Sequence, residues 1–567
     1  MKQKRSIYLF AAVVILCIIT LAVLNKYIFV KTQTQNQKLD NLSGEQVIGI
    51  FDRSNSIRNL NSTAIQHFSL QLEKGFDAQS IENLIEENAS YKQFIITVEI
   101  HGSPSSNVLE DVIKGDYDKE ITTLCKAVSR EEKTVFFRWN PDMEVPVKLY
   151  PWQYQSPKTY IEAFNYFAKL CKKSNPSIKI IWGAAGYPGA EEYWPGPSLV
   201  DYISVTINGK SESTATAFPQ ETNMETAIRR KIIRMRFMDK PILILGSAKS
   251  KKNEEVLKQQ LANAILNIDK EKETIYGNLP GPISPETLQN QRNSEVIKGV
   301  YDPKLLLTNS HFVKAEHIFI DLGNVQDGSF ARDFKSIIAR KHSPIITVEP
   351  WRDHKTRKDT NVLLNTVNGI YDNEFSEIFK VISSTNQTVY LRFSHEMEIP
   401  IHRYAWQSQD PALYIRAFRH FMSLDKLKAK NIRKVWGPAG DRGSIEFWPG
   451  NDVVDYISIA IYGLPDKNIT DVNQQESFTN IFSRKHYRMR FIDKPFFITE
   501  FGVKGPEEYQ QRWMSDAANT INAQKDVHGV CYFNLADNPK VWGKIPPPDW
   551  SISKTTFEKF SRDIKRN

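Results

Sequence analysis

Short hydrophobic runs rich in Val, Ile, Phe and Tyr alternate with amphipathic stretches through most of the chain. In the second half, runs typical of strands lie near positions 298–301, 317–322, 344–350, 388–395, 433–438, 453–463, 495–500 and 528–534. The intervening stretches favour helices, and 411–424 begins with Asp410-Pro411, a suitable N-cap and first helical residue. Eight strand–helix units in about 250 residues predict a (β/α)8 barrel, in which functional groups lie at the carboxyl ends of the strands.

The same pattern occurs twice in the sequence. Residues 138–246 align with residues 392–500 at a constant offset of 254 and without a gap. In this alignment RWNPDMEVPVKLYPWQ lies over RFSHEMEIPIHRYAWQ, and RMRFMDKP lies over RMRFIDKP. The offset is 250 upstream and 256 downstream, so the similarity extends over two whole copies. We therefore predict an α/β protein with two tandem (β/α)8 TIM barrels, at residues 46–290 and 296–567.

An apolar segment precedes both copies. The segment from Ile7 to Leu24 has 18 residues without a charge and follows the basic sequence MKQKR. About 20 apolar residues span a bilayer, and flanks rich in Lys and Arg stay on the cytoplasmic side. A cleaved signal peptide is the alternative, but no clear cleavage site follows the segment. We predict a single-pass signal anchor at 1–30 with its transmembrane helix at 7–24, a polar tether at 31–45, and barrels in the periplasm or on the cell surface.

Charge and cysteine content exclude several function classes. Five of the nine net positive charges lie within residues 1–35, so the rest of the chain has no basic stripe that would indicate nucleic-acid binding. The four cysteines show no CxxC or Cys/His spacing typical of a metal site, and for Cys125 and Cys171 a disulfide and two buried thiols both stay open. The sequence also lacks a phosphate-binding loop or dinucleotide fingerprint, which excludes a nucleotide enzyme.

Two glutamates of the second copy lie at strand ends that a barrel brings to one mouth. Glu396 follows VYLRFSH on the fourth strand, and Glu500 ends KPFFITE on the seventh. Glycoside hydrolysis needs such a pair, with one carboxyl protonated as a donor to the leaving oxygen and the other ionised. A single glutamate at a strand end is more often a helix cap or an ion-pair partner. The pair, together with a neighbouring histidine and several aromatic residues, favours a glycosidase site.

The motifs RFSHEM…YAW, FWPGNDVVDYISIAIYG and ITEFG resemble those of glycoside hydrolase family 26, which contains β-mannanases and related β-glucanases. The resemblance implies that Glu396 is the general acid/base and Glu500 the nucleophile of a retaining enzyme that needs no metal or organic cofactor. It also implies that His395 lies beside the acid and that Tyr462 is a partner of the nucleophile. The remaining residues implied in substrate binding are Arg392, Trp406 and Trp448.

One position departs from this family. The His-Glu-Met triplet usually continues with Asn-Gly, whereas Glu398 and Ile399 follow it here. An additional carboxylate could raise the pKa of the acid by repulsion, contact a sugar, or contact the wall of the cleft. Because the first copy has Glu144 at the equivalent place, we interpret Glu398 as a substrate-binding residue and as a sign that the substrate is not plain mannan.

The first copy lacks the catalytic residues. Glu396, His395, Tyr462 and Glu500 correspond there to Asp142, Pro141, Asn208 and Gly246. Glycine cannot act as a nucleophile, and the shorter aspartate misplaces its carboxyl by about an ångström, which alone can cost ~100-fold in rate. The retained residues are Arg138, Trp152, Trp182 and Trp194. Two interpretations of these tryptophans stay open, either as core residues or as a surface that still holds a glycan.

The sequence thus predicts a membrane-anchored, exported, retaining endo-β-glycosidase that acts on a β-mannan- or β-glucan-like polysaccharide. The anchor suggests that it processes the cell's own exopolysaccharide. The alternative is a non-catalytic glycan-binding or scaffold protein of a polysaccharide synthesis or export assembly. Either function implies polysaccharide and membrane as partners, and neither implies nucleic acid.

Overall fold

The computed structural model describes residues 45–54, 57, 65–102, 107–128, 133–215, 221, 223–248, 250–280, 295–352, 358–401, 403–425, 429–463, 476–539 and 546–565. The predicted anchor, and the tether up to position 44, lie outside these residues. Within the described ranges, no helix is long and apolar enough to cross a membrane. Membrane anchoring therefore stays a prediction.

The chain divides into two compact units that do not follow the repeat boundaries. The first unit comprises Met1–Gly186, Tyr193–Ala215 and Met238–Ala262, and the second comprises Tyr187–Glu192, Thr216–Phe237 and Asn263–Asn567. Three segments of the first repeat thus belong to the second unit. The predicted repeat boundaries stay a prediction.

The first unit contains a seven-stranded sheet. Its strands are β1 (Glu45–Phe51), β2 (Ile65–Gln71), β3 (Gln93–Glu99), β4 (Thr134–Trp139), β5 (Lys179–Gly183), β6 (Tyr202–Ile207) and β7 (Ile242–Ser247). Strands β2 to β7 are parallel and follow one another in order, whereas β1 runs antiparallel beside β7 with Glu45 opposite Ser247. Strands β1 and β2 lie at the two edges of the sheet. The prediction of a closed eight-stranded barrel in the first copy is therefore not confirmed.

The missing eighth strand has a physical reason in the sequence. Residues 271–277 read EKETIYG, whereas the eighth strand of the second copy reads VHGVCYF. Lys272 and Glu273 are exposed, and burying unpaired charges inside a barrel is costly. The segment Lys272–Tyr276 is a helix of the second unit instead.

The helices of the first repeat are α1 (Ala78–Glu87), α2 (Val108–Ile113), α3 (Asp118–Ala127), α4 (Pro157–Ser174), α5 (Lys210–Thr214), α6 (Met224–Arg234), α7 (Lys251–Lys270) and α8 (Lys272–Tyr276). Cys125 on α3 and Cys171 on α4 are buried free thiols whose Sγ atoms lie 2.8 Å apart. Burial and the neighbouring thiol raise the pKa of Cys171. The sequence left open a disulfide and two buried thiols for this pair, and the structure contains the two buried thiols.

The second unit forms a closed barrel of eight parallel strands. These are β8 (Ile297–Tyr301), β9 (Ala315–Asp321), β10 (Ser343–Glu349), β11 (Val389–Phe393), β12 (Ile432–Trp436), a sixth strand in two parts, β13 (Tyr456–Ile457) and β14 (Ala460–Gly463), then β15 (Phe496–Val503) and β16 (Val527–Phe533). Pairing of β16 with β8, and of β13 with β15, closes the barrel. The predicted barrel of the second copy is confirmed, with each strand close to its predicted position.

The same interior layer is found in both sheets. In the barrel it consists of Ala315, Ile345, Tyr390, Val435, Phe497 and Cys531. In the first unit, Ile65, Ile95, Phe136, Ile181 and Leu243 form a buried cluster at the equivalent positions. Buried apolar layers of this kind fill a barrel and leave its carboxyl-terminal mouth for function.

The helices that follow are α9 (Leu322–Gln326), α10 (Ser329–Ala339), α11 (Val362–Val367), α12 (Asp372–Ile382), α13 (Pro411–Ser423), α14 (Phe478–Arg488), α15 (Glu507–Ala523) and α16 (Lys554–Asp563). The predicted start of α13 is confirmed, because the Asp410 side chain accepts a hydrogen bond from the Ala412 N–H and Pro411 is the first helical residue. Helix α10 buries Phe330, Phe334 and Ile337, which share one face.

Candidate active site

The acid turn, residues 394–398 after β11, has a strained backbone. Ser394 and Glu396 have φ angles of +46° and +53°, in the left-handed region that L-residues rarely adopt. The Glu396 N–H donates a 2.8 Å hydrogen bond to the carbonyl of Gly437, which follows β12. In the first unit, Asn140 and Asp142 have φ angles of +38° and +58°, so the turn is retained where the glutamate is not.

A cleft of about 340 Å³ opens at the carboxyl ends of the barrel strands. It contains both predicted catalytic carboxyls, together with His395 and Tyr462. The remaining lining residues are Tyr301, Phe319, Glu349, Arg403, Tyr404, Phe533, Asp537 and Trp550. The structure therefore brings together four residues that the sequence predicted, from the fourth, sixth and seventh strand positions.

Glu500 accepts hydrogen bonds on both of its carboxyl oxygens. It lies on β15 and is 6% exposed. The Arg392 Nη2 group donates to its Oε1 atom, and the Tyr462 hydroxyl donates to its Oε2 atom at 3.1 Å. Charge-assisted hydrogen bonds to both oxygens stabilise a carboxylate and fix its orientation. Of these two donors, only Tyr462 lines the cleft.

Glu396 lies in an environment that favours its neutral form. Its pKa is raised to about 8, mainly by burial and then by the negative charges of Glu500 and Glu398, against the opposing effects of Arg403 and Arg392. Glu396 is therefore protonated at neutral pH and can donate a proton. A carboxyl with a raised pKa beside one that accepts from a guanidinium, in a shared cleft, is an arrangement suited to an acid and a nucleophile.

A chain of buried hydrogen bonds orients Arg392. The His317 Nδ1 atom lies 3.1 Å from the Thr499 carbonyl, which can only accept, so Nδ1 carries the proton. His317 Nε2 then accepts from the Thr347 hydroxyl at 2.8 Å, and the Thr347 oxygen accepts from Arg392 Nε at 2.8 Å. Burial and the charge of Arg392 lower the pKa of His317 well below its usual value, which keeps the ring neutral.

The sequence analysis did not predict this series of hydrogen bonds, although the first repeat contains a signal for it. His67 and Thr97 occupy the equivalent positions of the first repeat and make the same 2.8 Å contact. Polar residues that recur on buried strands in both repeats indicate a shared hydrogen-bond network.

Replacing Thr347 with Val should lower kcat about 10-fold, because the buried Arg392 Nε loses its acceptor and such a loss costs about 1–3 kcal/mol. The matched control is Thr97→Val, which makes the same change in the first unit and should leave kcat unchanged. Steady-state kinetics on a cleaved polysaccharide measure both. Equal effects of the two variants would contradict a role for Thr347 in orienting Arg392.

Trp406 and Trp448, which the resemblance implied as sugar-binding surfaces, are 0% and 1% exposed and do not line the cleft. Trp406 donates from Nε1 to the His395 carbonyl at 2.7 Å and stacks flat on Tyr404 at 4.7 Å. Trp448 packs edge-on against Trp436. Their faces are therefore not available to a sugar, and this prediction is corrected: Trp406 supports two residues that do line the cleft.

Arg392 and Glu398 also differ from their predicted substrate-binding role. Arg392 is buried, its Nη2 group donates to Glu500 Oε1, and it does not line the cleft. Glu398 is buried, and its Oε1 atom accepts hydrogen bonds from the Gly440 N–H, the Asp441 N–H and the Ser444 hydroxyl. Glu398 therefore secures the loop after β12, and its presence says nothing about the sugar.

Three charged cleft residues were missed by sequence reasoning. Glu349 ends β10, and Arg403 lies 3.8 Å from Asp537 at the cleft edge. The available signal was the position of Glu349, which ends the sequence IITVE at the carboxyl end of the third strand. Within the described residues, no group of three or more His, Cys, Asp or Glu side chains has the geometry to hold a metal ion.

In the first unit, other side chains fill the position equivalent to that of Glu500. A Cβ atom at Gly246 would lie 2.8 Å from Ile48 Cγ1, so the nucleophile position has no room for a side chain. Arg138 instead donates to Asp142 Oδ1 at 3.2 Å and to Thr206 Oγ1 at 2.8 Å. The first unit therefore offers neither a nucleophile nor space for one.

The tryptophans retained in the first unit are core residues. Trp152 and Trp194 are 0% and 8% exposed. Trp152 stacks on Tyr150, and Trp194 packs edge-on against Trp182. The interpretation of these rings as a glycan-holding surface is therefore corrected in favour of the core interpretation.

Comparison with known sequences finds partial similarity to glycoside hydrolases. No family model matches the chain. The chain is 28% identical over 172 residues to the β-1,3-xylanase TXYA of a Vibrio species, which is 28% of this chain and 33% of that protein. It is 26% identical over 219 residues to endoglucanase H of Acetivibrio thermocellus, or 36% of this chain and 23% of that protein. The matches span about a third or less of these relatives' lengths.

Among solved structures, similarity is found to a GH26 β-mannanase from Bacteroides ovatus, with 15% identity and a TM-score of 0.36 over 49% of this chain and 92% of that chain. An endo-β-1,4-mannanase double mutant from Cellulomonas fimi gives 14% identity and a TM-score of 0.37, over 49% of this chain and 73% of that one. By its partial sequence matches, the chain is similar in part to a β-1,3-xylanase and an endoglucanase.

Proposed function

We propose that the closed barrel hydrolyses a β-linked polysaccharide with retention of configuration, with Glu396 as acid/base and Glu500 as nucleophile. The observation that carries this proposal is the contrast between the two carboxyls of one cleft. Burial and neighbouring negative charge raise the pKa of Glu396 to about 8. Glu500 instead accepts hydrogen bonds from the guanidinium of Arg392 and the hydroxyl of Tyr462.

The first step joins the sugar to the enzyme. A carboxyl oxygen of Glu500 attacks the anomeric carbon while Glu396 gives its proton to the departing glycosidic oxygen. This breaks the glycosidic bond and forms a glycosyl ester on Glu500. In the second step Glu396, now ionised, takes a proton from water, the water oxygen attacks the same carbon, and Glu500 leaves as a carboxylate. Two displacements at one carbon give net retention.

Aromatic rings in the cleft support a carbohydrate substrate. Tyr462 and Trp550 pack with ring centroids 4.6 Å apart, and Tyr301 and Phe533 stack at 4.6 Å. Such rings present apolar faces on which the C–H faces of sugars can lie. The partial relatives named above act on β-1,3-xylan or are endoglucanases. We propose internal cleavage of a β-mannan- or β-glucan-like chain, with β-xylan as the third substrate to test.

The test is incubation of the purified chain with β-1,4-mannan, β-1,3- and β-1,4-glucans and β-1,3-xylan, with measurement of new reducing ends and of product size. A rapid fall in chain length is expected for an endo enzyme. Folded protein that releases no reducing ends but is retained on a polysaccharide gel would contradict hydrolysis and favour a non-catalytic glycan-binding scaffold.

We further propose that the anchor predicted at 7–24 holds the protein in the cytoplasmic membrane with the barrel outside. The support is sequence alone, namely an uncharged apolar segment after three basic residues. Processing of the cell's own exopolysaccharide beside a synthesis or export assembly fits this topology. Protease added to intact spheroplasts should digest the barrel, and full protection would reverse the proposed orientation.

A further inference from the structure

A short segment of the inactive repeat, Tyr187–Glu192, is part of the second unit. Glu192 is 5% exposed. Its carboxylate accepts from Arg442 Nε at 3.0 Å and Arg442 Nη2 at 3.1 Å, one on each oxygen, and from Arg488 Nε at 2.8 Å. Burial alone would raise the pKa of Glu192, but Arg488 and Arg442 outweigh burial and lower it. Glu192 is therefore an ionised anchor for two arginines.

Through these two arginines, Glu192 is connected to the β12 loop, which comprises residues 437–444. Arg442 lies within this loop, and Arg488 of α14 donates from Nη1 to the Gly440 carbonyl at 3.0 Å. Lys485, also on α14, donates to the Ala439 carbonyl at 2.8 Å. One side of the β12 loop is thus tied to α14 and, through Arg442, to Glu192.

The other side of the β12 loop holds the acid turn. Its Gly440 and Asp441 N–H groups donate to Glu398 at 2.8 and 3.0 Å, and its Gly437 carbonyl accepts the Glu396 N–H at 2.8 Å. Glu396 and Glu398 are thereby fixed to the loop from two points. A continuous path of buried polar contacts therefore leads from Glu192 to the proton donor.

Two contacts around Glu192 occur twice within the second unit, at positions related by the 254-residue offset, which marks them as a built feature of the repeat, whereas Arg442 has Pro188 at its equivalent position and its pairing does not recur. The equivalent pairs are Arg488–Glu192 with Arg234–Glu446, and Arg490 to the Glu191 carbonyl with Arg236 to the Ile445 carbonyl. An accidental ion pair would not be expected to recur at the same offset.

We propose that Glu192, an acid carried by the inactive repeat, is a positioning residue for the acid turn of the active barrel. Glu192 does not line the cleft and acts through Arg442, Arg488 and the β12 loop. The inactive repeat thereby contributes to catalysis without binding substrate. This inference rests on the proposed function, because its effect is measured through Glu396.

The test is Glu192→Gln in the full chain, which keeps the size of the side chain and removes its charge. Because Glu192 touches no substrate, KM should change less than about twofold while kcat falls about 10-fold or more, since small displacements of a reacting group are costly. The alkaline limit of kcat should also move to lower pH, because a loosened β12 loop admits water and a hydrated Glu396 loses its proton more readily. Glu192→Asp should restore part of kcat.

The matched control is Glu316→Gln. Glu316 is also buried and accepts both 2.7 Å bonds of a paired contact with Arg340, but it lies at the amino end of β9, opposite the cleft. This control should lose thermal stability to a similar extent and keep kcat and its pH limit. If Glu192→Gln does not fold, Arg442→Lys replaces it in the test. This variant keeps the positive charge but loses the paired contact with Glu192, and the same fall in kcat and the same shift of the alkaline limit are expected.

The outcomes separate the two proposals. If the native chain cleaves polysaccharide and Glu192→Gln keeps the native kcat, or loses no more of it than Glu316→Gln does, only the positioning role is overturned. A native chain without turnover on any polysaccharide overturns the proposed function and this inference together. A selective fall in kcat with a shifted alkaline limit supports both.

Discussion

Replacing Glu500 with Gln should reduce polysaccharide cleavage by more than about 1,000-fold, because an amide cannot form the glycosyl ester and removal of a nucleophile typically has effects of this size or larger. The variant should fold, since Gln is close in size, its amide oxygen can accept from Arg392, and its amide NH2 can donate to the Tyr462 hydroxyl oxygen. Reducing-end release by the full chain measures the loss, and circular dichroism checks the fold.

The control for Glu500→Gln is Glu508→Gln, on the exposed surface of α15 in the same part of the chain. This variant should cleave at the native rate. Residual cleavage by Glu500→Gln within tenfold of the native rate would show that Glu500 is not the nucleophile.

Replacing Glu396 with Ala should slow the cleavage of polysaccharide far more than that of aryl glycosides with good leaving groups. General acid catalysis contributes about 100- to 10,000-fold, and only a poor leaving group needs the proton. The first-unit counterpart Asp142→Asn should change neither rate. Equal losses on both substrates after Glu396→Ala would contradict an acid role.

The pH dependence follows from the same carboxyl. The protonated form of Glu396 is the active donor, and its raised pKa of about 8 means that the donor is present below this pH and is lost above it. Polysaccharide cleavage by the native chain should therefore fall as pH rises through about 8. The residual aryl-glycosidase activity of Glu396→Ala should lack this alkaline limit.

The sequence predicted the closed barrel, and the meeting of two carboxyls at its mouth, for a simple reason. Alternating hydrophobic runs define parallel strands, and parallel strands that close on themselves bring their carboxyl ends to one mouth. Glu396 and Glu500 could therefore be placed in one cleft from their positions at two such ends. The Tyr462 contact with Glu500 was implied by the family resemblance, whereas the Arg392 contact and the burial of Glu396 were evident only in the structure.

Other features could not be predicted because a motif does not give the direction of a side chain. Trp406 keeps its place in the RFSHEM…YAW motif, yet its ring faces the core and the cleft is lined by Tyr404 instead. Glu398 likewise turns away from the cleft to bind backbone N–H groups of the β12 loop. The open sheet of the first unit was predictable in part, since Lys272 and Glu273 fall where a buried strand was expected.

The most direct test of the central claim is to trap the glycosyl ester on the full chain. The fluorine of an activated 2-deoxy-2-fluoro glycoside slows both displacements. Its good leaving group keeps formation of the ester faster than hydrolysis of the ester, so a retaining enzyme accumulates the ester. Intact-protein mass spectrometry should show one fluorosugar per chain, and peptide mapping should place it on Glu500. An adduct on the first repeat, or no adduct on a chain that hydrolyses the parent sugar, would contradict the assignment.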